Sequence, residues 1–236
     1  MAETDFNLES LAAYLHLTPS QVTRLADRGR IPGRKVGGSW RFSGREIHHW
    51  LEERIGLFDE EHLDHVEGVL ERSAKGLDES PISIPDLMPI EAIAQPLQAR
   101  TRGGVIDSMA ELAAETGLLW DASKMAEAVR TREDMQPTAF EGGFALLHPR
   151  RPMPDVLGDA VLALGVTSTG IPFGGSGGAM TDVFFLVASV DDRGHLRTLA
   201  RLSRLITGST LLKDIRGAAD ASAIRELIVA RDEEVD

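Results

Sequence analysis

Two short amphipathic helices are predicted near the start of the chain. The first covers Leu8–His16, where apolar residues recur at helical spacing. The second begins after Thr18, because Thr18 offers an N-cap hydroxyl, Pro19 suits the first helical position and Gln21 completes a capping box. Gly29 is the expected end of this helix, whose outward face is polar and basic.

A β-hairpin and a third helix are predicted next. Polar and apolar residues alternate over Lys35–Phe42 around Gly37-Gly38, a pair that favours a tight turn. Ser43-Gly44-Arg45-Glu46 is a second capping box, and it opens a helix whose apolar positions run to Leu51. Residues 1–55 are therefore expected to form a small all-α domain with a β-hairpin wing.

Helices and apolar strands alternate in the larger C-terminal part. Helical spacing covers Val105–Thr116 and Asp121–Arg130 and returns from Gly194 through Leu205 and over Ala221–Ala230, while strand-length apolar runs are Gly143–His148, Ala160–Val166 and Asp182–Ala188. This alternation predicts an α/β layered domain with a mixed sheet and helices on both faces over residues 82–236.

Composition narrows the possible chemistry. The 236 residues include no cysteine, which excludes disulfides, thiolate metal sites and a catalytic thiol. No apolar run approaches the roughly 20 residues of a membrane-spanning helix, and the acidic start lacks a secretory signal, so we expect a cytoplasmic protein that does not contact membranes. The net charge of −12 conceals a basic segment, because Arg24–Arg45 contains seven cationic residues and one acid.

The N-terminal motifs resemble the excisionase-type, MerR-like winged helix-turn-helix family. The resemblance rests on Leu11–Leu15, Thr18–Val22, Gly29–Pro32 and Val36–Phe42. It implies that the second helix enters the major groove and that the wing touches the DNA backbone. The residues implied near bases are Gln21, Thr23, Arg24 and Arg28, and those implied near phosphates are Lys35, Ser39 and Arg41.

Two other interpretations of this basic face remain open, a solvated surface and a docking surface for the acidic remainder of the chain. If the face does bind DNA, one small module binds weakly by itself, so a homodimer is expected.

Residues 56–81 are predicted to be an acidic helical linker. Leu63, Val66, Leu70 and Leu77 have near-heptad spacing, which is compatible with pairing of two chains, although a solvated spacer helix fits the charge better. His62 and His65 share a helix face with acids, but an exposed pair lacks the surrounding shell that a metal requires, and we expect no metal site. Asp78–Pro85 breaks the helix.

The run Arg132–Arg150 resembles the fructose/mannitol-type enzyme IIA domain of the sugar phosphotransferase system, including its nitrogen-regulatory branch. The matching residues are Arg132, Glu133, Thr138, Gly143, Ala145 and His148. The resemblance extends to Asp182–Val187 and to His195, and it implies that His148 accepts phosphate while His195 is a second active-site histidine.

Imidazole chemistry is compatible with these roles. A neutral imidazole is a competent nucleophile toward phosphorus. Arg132 is expected to stabilise phosphoryl oxygens, Thr138 to donate its hydroxyl, and His195 to hydrogen-bond a phosphoryl oxygen or orient His148. No cofactor or metal is needed.

The chain departs from the family pattern around His148. Gln136-Pro137-Thr138-Ala139 replaces a small, glycine-flanked loop, Leu147 replaces the proline before the histidine, and Pro149 follows it. These changes either alter partner docking or abolish phosphorylation.

Two further motifs are weaker. Gly174–Gly178 lacks the Gly-Lys-Ser/Thr ending of a phosphate-binding loop and is expected to connect two strands. The spacing permits a hydrolytic triad of Ser168, His148 and Asp155, but no nucleophile-elbow sequence surrounds the serine.

The leading hypothesis is a DNA-binding regulator of nitrogen or carbon metabolism, whose IIA-like domain accepts phosphate on His148 from a histidine phosphocarrier protein (HPr-like) and modulates transcription. One alternative is a phosphotransferase system component that passes phosphate to an enzyme IIB partner. Another is a DNA-binding protein whose IIA-like domain is degenerate and not phosphorylated.

Overall fold

The computed structural model describes residues 5–15, 17–55 and 82–235. The chain divides into two compact units, Met1–Pro81 with Leu199–Ser203 and Ile82–Thr198 with Arg204–Asp236. The predicted linker helix and the His62/His65 pair lie outside the described residues. Among the helices that are described, none has both the length and the apolar content needed to cross a bilayer.

The N-terminal unit combines helices with a small antiparallel sheet. Its described elements are β1 (Phe6–Asn7), α1 (Leu8–Tyr14), α2 (Pro19–Asp27), β2 (Arg34–Val36), β3 (Ser39–Phe42) and α3 (Gly44–Ile55). The predicted hairpin is confirmed, and β1 joins it to give the strand order β1-β3-β2. The wing turns at Gly37-Gly38, where φ values of 58° and 82° suit glycine.

Capping and burial fix the helices of this unit. The predicted capping box of α2 is present, because the Thr18 N–H donates to Gln21 Oε1 at 2.8 Å and the Gln21 N–H donates to Thr18 Oγ1 at 3.3 Å. The side chains that form the small core are Leu11, Ala12, Leu15, Val22, Ala26, Ile31, Phe42, Ile47 and Leu51.

The C-terminal unit is an α/β domain with a mixed five-stranded sheet, as predicted. Its elements are α4 (Ile84–Leu87), β4 (Ile93–Ala94), α5 (Arg102–Ala114), α6 (Ala122–Met135), β5 (Ala139–Phe140), β6 (Phe144–Leu147), β7 (Val161–Pro172), β8 (Met180–Ala188), α7 (Asp192–Ile206), α8 (Leu211–Gly217) and α9 (Ala221–Glu234). Within α7, Leu199–Ser203 are grouped with the N-terminal unit. The strand order is β4-β7-β8-β6-β5. β7 pairs antiparallel with β8, and β6 pairs parallel with β8.

Helices α5 and α6 cover one face of this sheet and share an apolar cluster with it. Thr101 caps α5 and Asp121 caps α6, each accepting a backbone N–H from the first turn. The close approach of α5 depends on Gly165 in β7, since a Cβ there would lie 2.6 Å from Met109 Sδ and 2.8 Å from Leu97 Cδ2. The predicted strand connector Gly174–Gly178 is confirmed between β7 and β8.

The sheet topology brings three segments to one edge. Because β6 and β8 are parallel, their carboxyl ends meet there. His148 follows β6, Ser189 follows β8, and α7 begins three residues after Ser189 with His195 in its first turns. The fold therefore gathers both candidate histidines at the same place.

We expect Gly165→Ala to destabilise the domain by about 1–3 kcal/mol, because the added methyl overpacks the contact between β7 and α5. Urea unfolding measures the effect. Gly103→Ala is the matched control: its Cβ would meet nothing within 4 Å, and alanine in a helix stabilises by up to about 1 kcal/mol. Equal stabilities for the two variants would contradict the packing described for Gly165.

Candidate functional site

His148 and His195 are buried neighbours at this edge of the sheet. Their ring centroids lie 5.2 Å apart with an interplanar angle of 54°. The side chains are 4% and 2% exposed, respectively. The structure thus brings together the two histidines selected from the sequence.

The protonation of the His148 ring is fixed by its neighbour Leu146. His148 Nδ1 lies 2.9 Å from the Leu146 carbonyl oxygen. A carbonyl oxygen only accepts hydrogen bonds, so Nδ1 carries the proton and donates it. In the neutral ring Nε2 therefore holds the lone pair, which makes Nε2 the nucleophilic atom.

His195 is held from two sides. Its backbone N–H donates to the Asp191 carbonyl at 3.1 Å, and Asp191 Oδ1 accepts the Gly194 N–H at 2.9 Å at the start of α7. Its ring nitrogen Nδ1 lies 3.3 Å from Ser189 Oγ. Sequence reasoning did not identify Ser189, because a serine after a strand is not distinctive until the fold places it.

Leu147 extends the pairing of β6 to the residue before His148. It pairs with Leu186 of β8, and its side chain is fully buried in the cluster that faces α5 and α6. A proline at this position would lack a backbone N–H for the strand ladder. Leucine at this position therefore lets the pairing of β6 reach the residue before His148.

Arg132 is buried beside the loop that precedes β5. Its Nη1 donates to the Gln136 carbonyl at 2.8 Å, and its Nε has no hydrogen-bond acceptor among the described residues. It makes no described hydrogen bond to either histidine. A buried guanidinium with an unused donor is suited to an incoming anion.

Thr138 is anchored to Glu133 rather than to the histidines. Its hydroxyl donates to Glu133 Oε1, and its backbone N–H lies 3.2 Å and 3.3 Å from the two carboxylate oxygens. Arg102 Nη2 is 3.5 Å from the same carboxylate. Sequence reasoning recorded Glu133 only as part of the family match, and the structure shows it as the anchor of this loop.

Burial dominates the electrostatics of Glu133. Its side chain is 1% exposed, and this burial raises the pKa of the carboxyl above the ordinary value of 4.5. The hydrogen bonds from Thr138 and the charges of Arg102 and Arg132 lower the pKa, but less than burial raises it.

A backbone hydrogen bond joins the anchored loop to His148. The Leu146 N–H donates to the Thr138 carbonyl at 3.2 Å, and the Leu146 carbonyl accepts from His148 Nδ1. Pro137 stiffens the loop by packing on Gly174, where a Cβ would lie 2.6 Å from Pro137 Cγ. The altered loop is therefore well packed in this structure.

The hydrolytic triad of Ser168, His148 and Asp155 is ruled out by strand register. Leu147 pairs with Leu186 of β8, and Leu186 pairs with Ala163 of β7. Ser168 lies five residues after Ala163 in β7, which places it roughly 15 Å along the strand from the position opposite Leu147. Among the described residues, no group of three or more His, Asp or Glu side chains is placed to hold a metal ion.

In α2, the structure distinguishes two kinds of predicted DNA-contact residue. Gln21 Oε1 accepts the Thr18 N–H, and Thr23 Oγ1 donates to the Pro19 carbonyl at 2.9 Å, so both side chains serve the helix itself. Arg24 and Arg28 are exposed. They are the long cationic side chains that this helix offers to solvent.

The wing has two chemically different faces. Lys35 lies on the same face as Trp40, with its Nζ 4.9 Å from a Trp40 ring centroid and 3.3 Å from Asp27 Oδ1. Arg34 and Arg41 are paired across the strands and are both exposed. Like charges directly opposite each other are destabilising unless an anion lies between them, so Arg34 joins Arg41 and Ser39 as a candidate contact that sequence reasoning missed.

Comparison with known proteins confirms both resemblances. The family model described as "Phosphoenolpyruvate-dependent sugar phosphotransferase system, EIIA 2" matches residues 86–230, and a helix-turn-helix domain model matches residues 6–55. A curated nitrogen regulatory protein from Bradyrhizobium diazoefficiens is 29% identical over 148 residues, which are 61% of this chain and 94% of that protein.

Solved structures show the same fold for the C-terminal unit. Nitrogen regulatory protein IIA-Ntr from Neisseria meningitidis has a TM-score of 0.54 at 18% identity, covering 61% of this chain and 98% of that one. Escherichia coli enzyme IIA for mannitol, solved in a complex with phosphorylated enzyme IIB, has a TM-score of 0.52 at 15% identity, covering 61% and 99%.

We expect Arg34→Ala and Arg41→Ala each to weaken binding to duplex DNA. In a plot of the logarithm of the DNA-binding constant against the logarithm of the salt concentration, each change should make the slope shallower by about 0.9, the contribution of one phosphate contact. Lys35→Ala should change the slope less, because Asp27 already faces its Nζ. Arg151→Ala, an exposed arginine of the C-terminal unit, is the control. Gel shifts at several salt concentrations test this, and unchanged slopes for Arg34→Ala and Arg41→Ala would contradict the wing interface.

We expect the free energy of unfolding to fall less with rising pH in Glu133→Gln than in the wild-type protein. A raised pKa in the folded state means that Glu133 contributes most to stability below the ordinary pKa of 4.5 and that this contribution is lost as pH rises through the raised value. Glutamine is always neutral and can still accept from Thr138. Urea unfolding from pH 4.5 upward measures the slope, and Glu127→Gln, exposed on the same helix, is the control. Parallel curves for wild type and Glu133→Gln would refute this role of Glu133.

Proposed function

The chain belongs to the EIIA 2 family of the phosphoenolpyruvate-dependent sugar phosphotransferase system, and on that premise we propose that it is a cytoplasmic DNA-binding regulator of nitrogen or carbon metabolism. In this proposal a histidine phosphocarrier protein (HPr-like) donates phosphate to His148, and the phosphorylated domain changes the affinity of the helix-turn-helix domain for DNA. Residues 1–55, 56–81 and 82–236 serve as DNA-binding domain, linker and IIA-like domain.

The observation that supports this proposal most is the buried ring pair of His148 and His195. Their centroids are 5.2 Å apart, and His148 Nδ1 is occupied by the Leu146 carbonyl. A phosphoryl group on His148 would therefore have a second imidazole beside it. Phosphoryl transfer depends on such positioning and on stabilisation of charge more than on covalent chemistry by the protein.

The proposed transfer is a displacement at phosphorus. His148 Nε2 attacks the phosphorus of the phosphohistidine on the carrier, a new N–P bond forms, and the carrier imidazole leaves with the electron pair of the broken N–P bond. Throughout the transfer the proton stays on Nδ1 of His148, which donates it to the Leu146 carbonyl. Arg132 has an unused donor for phosphoryl oxygens, and Thr138 positions the loop through Glu133.

Burial adds a requirement to the mechanism. His148 is 4% exposed, so a carrier reaches the ring only after the side chains around it have moved. Phosphorylation then places a dianionic group where a compact neutral ring was packed, and the two forms of the domain must differ in packing. That difference is what would alter DNA binding.

Two alternatives have support of their own. The mannitol enzyme IIA of Escherichia coli was solved with phosphorylated enzyme IIB, which favours onward transfer to a IIB partner. The burial of His148 favours a degenerate domain that is never phosphorylated.

We expect wild-type protein to incorporate phosphate from phosphoenolpyruvate in the presence of enzyme I and the carrier protein, and His148→Ala to incorporate none, because it lacks the accepting nitrogen. His49→Ala, a change outside the IIA-like domain, is the control and should label like wild type. Retained label in His148→Ala would exclude His148 as the acceptor, and no label in wild type would support the degenerate domain.

The same preparation separates the two active functions. Label that moves from His148 to an added mannitol-type IIB domain supports the phosphotransferase component. Label that stays, together with an altered gel shift of the phosphorylated protein, supports the regulator.

A further inference from the structure

We infer that Ser189 is a positioning residue of the proposed phosphoryl-transfer site: its hydroxyl donates to His195 Nδ1 and thereby keeps the proton of the neutral His195 ring on Nε2. This inference rests on the proposed function. Ser189 lies directly after β8, at the edge of the sheet where His148 follows β6.

The direction of this hydrogen bond follows from burial. Ser189 is 1% exposed, and its Oγ lies 3.3 Å from His195 Nδ1. Within the described part of the chain, this nitrogen is the hydrogen-bond partner of the hydroxyl. A buried hydroxyl proton needs an acceptor. If Nδ1 instead donated to Ser189, the hydroxyl proton would have none, so the serine donates and Nδ1 accepts.

The two rings are consequently held in opposite tautomers. A carbonyl oxygen holds His148 with its proton on Nδ1, and a hydroxyl holds His195 with its proton on Nε2. His148 thus presents a lone pair, which is what attack on phosphorus requires. His195 presents an N–H, which is what an anionic phosphoryl oxygen requires.

Backbone contacts hold the serine itself in place. The Met153 N–H donates to the Ser189 carbonyl at 3.1 Å, and Leu186, Val187 and Ala188 before it pair with other strands or fill the core. Since α7 begins three residues later, the position of Ser189 also sets where His195 enters the site.

The test reads the tautomer directly. Full-length protein with ¹⁵N-labelled histidine is examined by long-range ¹H–¹⁵N spectra, at a pH where the same spectra show both rings to be neutral, and His148→Gln and His195→Gln assign the signals. We expect His148 to be protonated on Nδ1 and His195 on Nε2. In Ser189→Ala we expect His195 to lose its single tautomer and become a mixture, while the His148 signals stay unchanged.

The kinetic readout is the rate of label transfer from the carrier to His148. Ser189→Ala should slow transfer by about threefold to tenfold, the effect of one neutral hydrogen bond, and Ser189→Thr, which keeps the hydroxyl, should restore the tautomer. Ser203→Ala removes another buried serine hydroxyl, from the helix α7 that also carries His195, and should change neither readout.

The possible failures are distinguishable. If wild type takes up no phosphate but shows the two tautomers, the proposed function fails while the role of Ser189 in setting the tautomer stands. If wild type is phosphorylated and Ser189→Ala keeps both the tautomer and the rate, the inference about Ser189 is wrong. A wild-type His195 protonated on Nδ1 also overturns it.

Discussion

Burial of two imidazoles at one edge of the sheet is the constraint on which the proposed site depends. A buried ring nitrogen must match the polar group beside it, and the two groups differ: a backbone carbonyl faces His148, and a serine hydroxyl faces His195. The strands that supply these groups, β6 and β8, are adjacent and parallel. In the proposed site, these two groups therefore set which ring is the nucleophile and which is the hydrogen-bond donor before a partner binds.

Hydrogen bonds also connect the loop before β5 to the ring of His148. Glu133 holds Thr138, the Thr138 carbonyl holds the Leu146 N–H, and Leu146 in turn holds His148. A glycine-flanked loop would be free to adapt its backbone to a partner. The loop in this chain is more restricted, because it contains Pro137, which packs on Gly174. The departures from the family pattern thus coincide with a packed loop beside a buried histidine, and the proposed function requires His148 to become exposed before transfer.

Much of the fold could be predicted from the sequence because its signals are local. Capping boxes, the Gly37-Gly38 turn and helical spacing specified α1, α2, α5, α6 and the wing. β1 and α4 are too short to show a period, and α8 was not predicted. The ring pair followed from a family motif. Ser189 was not identified, and Glu133 was matched to the motif without a role, since both roles arise from contacts that the folded chain creates. In the wing, strand register placed Lys35 beside Trp40 and Asp27 and left Arg34 facing solvent, which spacing alone does not reveal.

The most direct test of the central claim is to identify the atom that carries phosphate. Protein labelled with ¹⁵N in histidine and phosphorylated by the carrier protein should show a phosphorus-coupled nitrogen at Nε2 of His148, with Nδ1 still protonated. Phosphate on Nδ1 of His148, on His195 or on any other residue would contradict the assignment of nucleophile drawn from the Leu146 carbonyl.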